Sequence, residues 1–148
     1  MSKLPKVTFK TIGIIRNELK KRERRDTRNV ISKIIIDPAL TEGLDNLDEF
    51  SHIIVIYWLH QSRTPFPLKV HPRHQKELKP VGVFASRSPD RPNPLGKTTV
   101  KLLERHGNIL KVQGLDAIDG SPVIDIKPYI PGIDAVKGAR GPKWMTKS

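Results

Sequence analysis

Apolar residues along this chain gather into short, β-branched runs and not into helical stripes. "VTFKTIGIIRN" (7–17) is rich in Val, Ile and Thr and broken by Gly13, which predicts a first strand. "VISKIIID" (30–37) predicts a second, stopped by Pro38. The continuous apolar run "IIVIYWL" (53–59) has strand length and reads as the most buried strand of the fold. "VGVFAS" (81–86) reads as another. "KTTVKLLER" (97–105) alternates through Thr98, Val100 and Leu102, and "NILKVQGLDAI" (108–118) through Leu110 and Val112. The "HGN" between them predicts a hairpin turn, and Asp119-Gly120 predicts a second turn into "SPVIDIKPYI". One segment differs: "TEGLDNLDEF" (41–50) suits a short helix with Thr41 as its N-cap. The expected fold is mostly β, a single antiparallel β-barrel with one short helix and long polar loops.

The polar stretches between these runs are unusual in length and stiffness. "ELKKRERRDTRN" (18–29) is dense in Lys and Arg with no apolar residue except Leu19, and reads as a solvated loop or a flexible basic arm. Residues 60–80 form a connection too long to be idle in so compact a chain. "GVFASRSPDRPNPLG" (82–96) places Pro89, Pro92 and Pro94 between two apolar runs, holding Ser88, Arg91 and Asn93 in extended geometry. Such a loop presents Arg87, Arg91 and Asn93 in set directions with little entropy left to lose, as a binding loop does. Residues from about 135 to 148 are Gly-rich and basic and are expected to be a loosely held tail of a single domain spanning 1–148.

Composition adds one decisive number. The chain holds 27 Lys and Arg against 15 Asp and Glu, a formal charge of +12. A heat-adapted surface raises acids and bases together, so the imbalance favours a polyanionic partner, nucleic acid first. With no cysteine there is no disulfide, thiolate metal site or Cys nucleophile. No apolar run approaches a membrane span or a signal-peptide core, and a cytoplasmic protein without a membrane partner is expected.

Two lookalike motifs fall away on spacing. "LGKTT" (95–99) resembles the end of a P-loop, but Arg91 stands where that pattern needs glycine and a strand follows where it needs a helix. His71 and His74 lie in a Pro-containing loop without further ligands, so no metal is expected. His52 and His60 flank the buried strand, roughly 26 Å apart, and belong to different sites. Four segments remain that put polar groups at strand ends: His60-Gln61, Arg87–Gly96, Asp116–Gly120 and "DIKPYIP" (125–131). Strand ends of a barrel meet at a rim, where ligands bind.

"GVFASRSPDRPNPLG", "FSHIIVIYWLHQ" and "LDAIDGSPVIDIKPYIP" together resemble the TsaA-like family, whose characterised members are the TrmO tRNA methyltransferases. The resemblance runs from about Val7 to Asp134. It implies an S-adenosyl-L-methionine (SAM) enzyme built on a β-barrel and acting as a homodimer. The implied substrate is N6 of threonylcarbamoyladenosine beside the anticodon of threonine tRNA. The further C-terminal domain of bacterial members is expected to be absent here. His60, Gln61, Arg87, Lys97 and Ala117, Ile118, Asp119 and Gly120 match the family's cofactor-contact positions. The family's Pro-Arg-Gln element corresponds only loosely to "RRDTR", making Arg24, Arg25 and Asp26 looser cofactor candidates.

On this reading Arg87 holds the cofactor's carboxylate, Asp119 its ammonium or ribose hydroxyls, and amides near Gly120 and Gly96 its adenine. Asp125, Tyr129 and His60 are the candidates for accepting the N6 proton. Lys20, Lys21, Arg24, Arg25 and Arg28 of the arm, with Lys69, Arg73, Lys76 and Arg91, are the expected contacts to tRNA. Phe66, Ile133 and Trp144 are apolar groups outside the strands that a dimer would cover. Two alternatives stay open at this point: a non-catalytic RNA-binding barrel, and a SAM-binding sensor.

Overall fold

The computed structural model describes residues 3–72 and 75–145. Six strands close into an antiparallel barrel: β1 (Gly13–Arg16), β2 (Ile31–Ile36), β3 (His52–Trp58), β6 (Leu95–His106), β7 (Ile109–Gln113) and β8 (Pro122–Pro128). Around the barrel they run β1-β2-β7-β6-β3-β8, with β8 returning to β1. A separate ribbon pairs β4 (Lys69–Val70) with β5 (Val81–Gly82). A single helical turn, α1 (Pro131–Asp134), follows β8.

Alternation along the strands builds the core. Ser32, Ile34 and Ile36 of β2 point inward, as do Ile53, Val55 and Tyr57 of β3, Val100 and Leu102 of β6, and Leu110 and Val112 of β7. β3 is indeed the most buried strand, with Ile53, Ile54, Val55 and Tyr57 all buried, and it pairs with β6 and β8. Its ladder to β8 skips Ile124, and the β6–β7 ladder skips Leu103. Both irregularities let a short barrel close. Gly13 of β1 is required by the closure, because a Cβ there would come 2.6 Å from the Ile35 carbonyl.

Several expected elements are shorter or different. The first strand covers only Gly13–Arg16; Val7 and Phe9 are exposed. The 41–50 helix is replaced by two 3-10 turns, Pro38–Leu44 and Leu47–Glu49, separated by Asn46 at φ 69°. Asp37, not Thr41, caps the first by accepting from the Ala39 amide at 3.0 Å, while the Thr41 hydroxyl donates back to the Pro38 carbonyl. The 81–86 strand gives way after Gly82 to a 3-10 turn over Val83–Ala85 that stands outside the barrel. The 108–118 strand ends at Gln113, because Gly114 at φ 97° turns the chain inward and buries Leu115 and Ala117.

Candidate functional site

Antiparallel pairing brings one end of every barrel strand to the same rim. The C-terminal ends of β1 and β3 meet there with the N-terminal ends of β6 and β8, so Asn17, Leu59, His60, Leu95 and Ser121 become neighbours. Between them opens a cleft of about 850 Å³, within the range of small-molecule sites. Its walls come from the basic arm, the 59–63 turn, the proline loop and the 116–121 turn.

Asn17 organises two of these walls. Its side chain donates to the Ala117 carbonyl (2.8 Å) and to buried Ser32 (3.0 Å), and accepts from the Leu19 amide (2.9 Å). Its own amide donates to Asp119 at 3.0 Å. The Asp119 amide in turn donates to the Leu19 carbonyl at 2.6 Å, and Leu19 is buried. The arm is therefore docked on the rim and not a flexible tether.

Asp90 ties the other walls together. Arg22 of the arm grips its carboxylate with both terminal nitrogens, at 3.0 and 3.2 Å, and reaches the Gln61 carbonyl at 3.1 Å. The Arg63 amide donates to the same carboxylate at 2.6 Å. Arm, turn and proline loop thus share one charge-assisted joint. Inside the proline loop, Arg91 donates to the carbonyls of Ser86 and Ser88 and fixes its curvature.

The cleft floor rests on Tyr57. Its hydroxyl donates to the Asp116 carbonyl at 2.6 Å and lies 2.8 Å from the Thr98 hydroxyl. Burial pushes the Tyr57 phenol up to about 12. Gly96 faces Tyr57 across the β3–β6 ladder, and a Cβ there would run into the tyrosine ring. Asp116 itself lines the cleft, and desolvation raises its carboxyl pKa.

Residues 20–135 match the tRNA-methyltransferase O N-terminal domain. The chain belongs to that family. It is 44% identical over 138 residues to a probable S-adenosyl-L-methionine-binding protein of Archaeoglobus fulgidus, covering 90% of this chain and 37% of that protein. A probable S-adenosyl-L-methionine-binding protein of Methanothermobacter thermautotrophicus is 43% identical over 134 residues, covering 88% of this chain and 95% of that protein. The crystal structure of TrmO from Pseudomonas aeruginosa superposes with a TM-score of 0.73 at 29% identity, covering 92% of this chain and 62% of that one. This chain therefore spans well under half of the Archaeoglobus relative and under two-thirds of that TrmO chain.

The positions carried over from the TrmO family mostly converge. His60, Gln61, Arg87, Lys97, Ala117 and Ile118 all line the cleft, joined by the looser candidates Arg24 and Arg25. Arg87 and Lys97 are exposed and have no acidic partner among the described residues. Asp119 and Gly120 sit just behind the wall. Asp119 is held below its ordinary carboxyl pKa by the Asn17 amide and Lys20, which tie it into the turn, whereas Asp116 and Glu23 are acids that line the cleft. Gly120 adopts φ 85°, with His60 Nε2 3.9 Å from where a Cβ would stand.

Other expectations are placed elsewhere. Asp125 pairs with Lys127 at 3.3 Å and lines a separate hollow under the 3-10 turns, and Tyr129 packs edge-on against His52 at the opposite rim. Of the three proton-acceptor candidates only His60 reaches the cleft. Asp26 is engaged by Arg28, whose hydrogen bonds lower it to about 2, and this pair lies outside the cleft. Lys20 binds Asp119, and Lys21 (3.9 Å) and Arg25 (2.6 Å) approach Glu23. Lys69 lies on the outer ribbon and Lys76 is exposed beyond it, whereas Arg73 falls outside the described residues. Sequence reasoning missed Asn17, Arg22 and Tyr57, and it marked the segments that hold Asp90 and Asp116 without giving either residue a role. Gly96 alone had a local signal, a glycine at the start of a strand pattern, which marks a close approach by another group.

Proposed function

We propose that this chain is a SAM-dependent tRNA methyltransferase that acts on N6 of threonylcarbamoyladenosine next to the anticodon of threonine tRNA. The observation that carries the reading is the rim cleft, where Arg87 and Lys97 stand without acidic partners beside an apolar lining of Leu19, Leu59, Leu95 and Ile118. Family membership and the names of the relatives support it.

The donor set fits the cofactor. Arg87 is suited to its carboxylate, Asp116 to its ammonium, and the apolar wall with the Ala117–Ile118 backbone to its adenine. When bound, the sulfonium supplies an electrophilic methyl group. The protein's own contribution is alignment, which can supply up to about 7–11 kcal/mol in well-oriented reactions. The joint at Asp90 and the Tyr57 floor hold the walls in register for that purpose. His60, exposed at the cleft with Nδ1 3.4 Å from the Ser121 hydroxyl, accepts the N6 proton in this scheme. The arm and rim cations draw the tRNA phosphates toward the cleft.

We further propose a homodimer that covers Ile130, Ile133 and Val136, all exposed after β8, and a cytoplasmic location in keeping with the tRNA substrate. No helix among the described residues is long and apolar enough to cross a membrane, and no described cluster of His, Asp and Glu is arranged to hold a metal ion. The test of the activity is transfer of labelled methyl from SAM to unfractionated tRNA, alongside calorimetry of cofactor binding. Binding without transfer to any tRNA would favour the sensor alternative.

A further inference from the structure

Beside the cleft, outside the barrel, stands an apolar projection that the methyl-transfer site leaves unused. Phe84 is 78% exposed and Leu68 69% exposed, with Phe66, two residues before Leu68, 40% exposed. The β4–β5 ribbon holds them together: Lys69 pairs with Gly82, and the Val83 amide donates to the Leu68 carbonyl at 2.9 Å. Only Val83 of this turn is buried, anchoring the projection while Phe84 points outward. Two residues on, Ser86 and Arg87 enter the cleft wall, so the projection and the cleft share one short piece of backbone.

The stretch of chain that carries these rings is cationic. Residues 62–91 contain seven Lys and Arg against two acids, Glu77 and Asp90, and Asp90 is already bound by Arg22 and the Arg63 amide. Lys69, Lys76, Lys79 and Arg87 are all exposed. A protein partner would match apolar groups with apolar groups, and the net positive rim would oppose a second copy of the same surface. Exposed aromatic rings amid unpaired cations instead suit single-stranded nucleic acid, whose bases stack on the rings while its phosphates meet the cations.

We propose that Phe84, with Phe66 and Leu68 beside it, is a stacking platform for unpaired bases of the RNA whose modified nucleoside enters the cleft. The inference rests on the tRNA reading above and adds to it the element that grips the loop next to the target. The platform selects for looped RNA, because bases inside a duplex have no free face to offer.

The test compares wild type, Phe84→Ala and Phe84→Trp in binding an RNA hairpin with the threonine anticodon loop, and the same stem closed into a continuous duplex. Phe84→Ala is expected to weaken hairpin binding about 5-fold or more and leave duplex binding unchanged. The salt dependence is expected to stay the same, because Phe84 carries no charge with which to neutralise a phosphate. Phe84→Trp is expected to restore wild-type affinity, and SAM affinity is expected to match wild type in both variants. Equal hairpin affinity in wild type and Phe84→Ala overturns the proposal while leaving the methyltransferase reading intact. So does a loss of self-association in Phe84→Ala without loss of RNA binding, which would assign the face to a second copy. A wild-type protein that binds neither RNA overturns both.

Discussion

Replacing Asp90 with asparagine tests whether one carboxylate holds the cleft together. Asp90 accepts three hydrogen bonds, two from Arg22 of the arm and one from the Arg63 amide of the 59–63 turn, and so joins both segments to its own loop. The Arg22 and Asp90 side chains are only 29% and 17% exposed, so solvent screens them little. An amide in place of the carboxylate keeps one acceptor, removes the charge and leaves Arg22 half-paired, which costs about 1.5–3 kcal/mol. For a chain of this size that loss lowers Tm by about 3–12 °C. Burial raises the Asp90 carboxyl, but the Arg63 amide and Arg22 outweigh it and leave the pKa below its ordinary value. A depressed folded pKa contributes stability above the unfolded value of about 3.9 and loses it as pH falls through the folded value. The difference between wild type and Asp90→Asn should therefore be full at pH 7 and shrink below about pH 4. Thermal denaturation followed by circular dichroism at both pH values measures it. An Asp90→Asn variant as stable as wild type at pH 7, or a difference that does not depend on pH, would refute the joint.

Arg87→Ala should lower SAM affinity by about 1.5–3 kcal/mol with Tm unchanged, since Arg87 has no acidic partner among the described residues to lose; calorimetry and a melting curve check both. Tyr57→Phe leaves the Asp116 carbonyl without its donor and should cost about 1–2 kcal/mol of stability by denaturant titration. Because the Tyr57 phenol is raised to about 12, the native state resists its ionisation. Tyr57 should thus make wild-type stability fall as pH rises above about 10, and Tyr57→Phe should lessen that fall. Gly96→Ala forces a methyl into the Tyr57 ring and should destabilise by about 1–3 kcal/mol, with Tyr57→Ala relieving part of that penalty in the double variant. Neutralising Lys20, Lys21, Arg24 and Arg25 together should reduce the salt slope of tRNA binding by about 0.7–0.9 for each phosphate that the arm no longer neutralises.

The barrel was legible because its signal is local. Period-two alternation in residues 31–36 and 97–105, a hairpin at Gly107-Asn108 and a turn at Asp119-Gly120 each declare themselves within a few residues. The 41–50 segment misleads because its acids and leucines fit a helical turn, whereas the observed 3-10 turns follow from Pro38 and the Asp37 cap just upstream. The 81–86 strand failed for a tertiary reason: only two residues find a partner, in β4. The cleft itself was half readable. Its proline loop and strand-end residues carry family motifs, so His60, Gln61, Arg87 and Lys97 could be placed together. Its scaffolding could not, since Arg22 meets Asp90 across 68 positions and Asn17 meets Ala117 across 100, with no local pattern marking either pair. Asp125 and Tyr129 were misplaced because their segment spans β8, and only register decides which rim each end reaches.

The central claim is methyl transfer to one nucleoside of tRNA. Unmethylated threonine tRNA carrying threonylcarbamoyladenosine would be incubated with the full chain and SAM bearing a deuterated methyl group, then digested to nucleosides for mass spectrometry. The account predicts that the threonylcarbamoyladenosine peak gives way to a species heavier by one labelled methyl, with the label on the base, and that Arg87→Ala slows its appearance. Label recovered on a different nucleoside, or none recovered while SAM binding is intact, would contradict it.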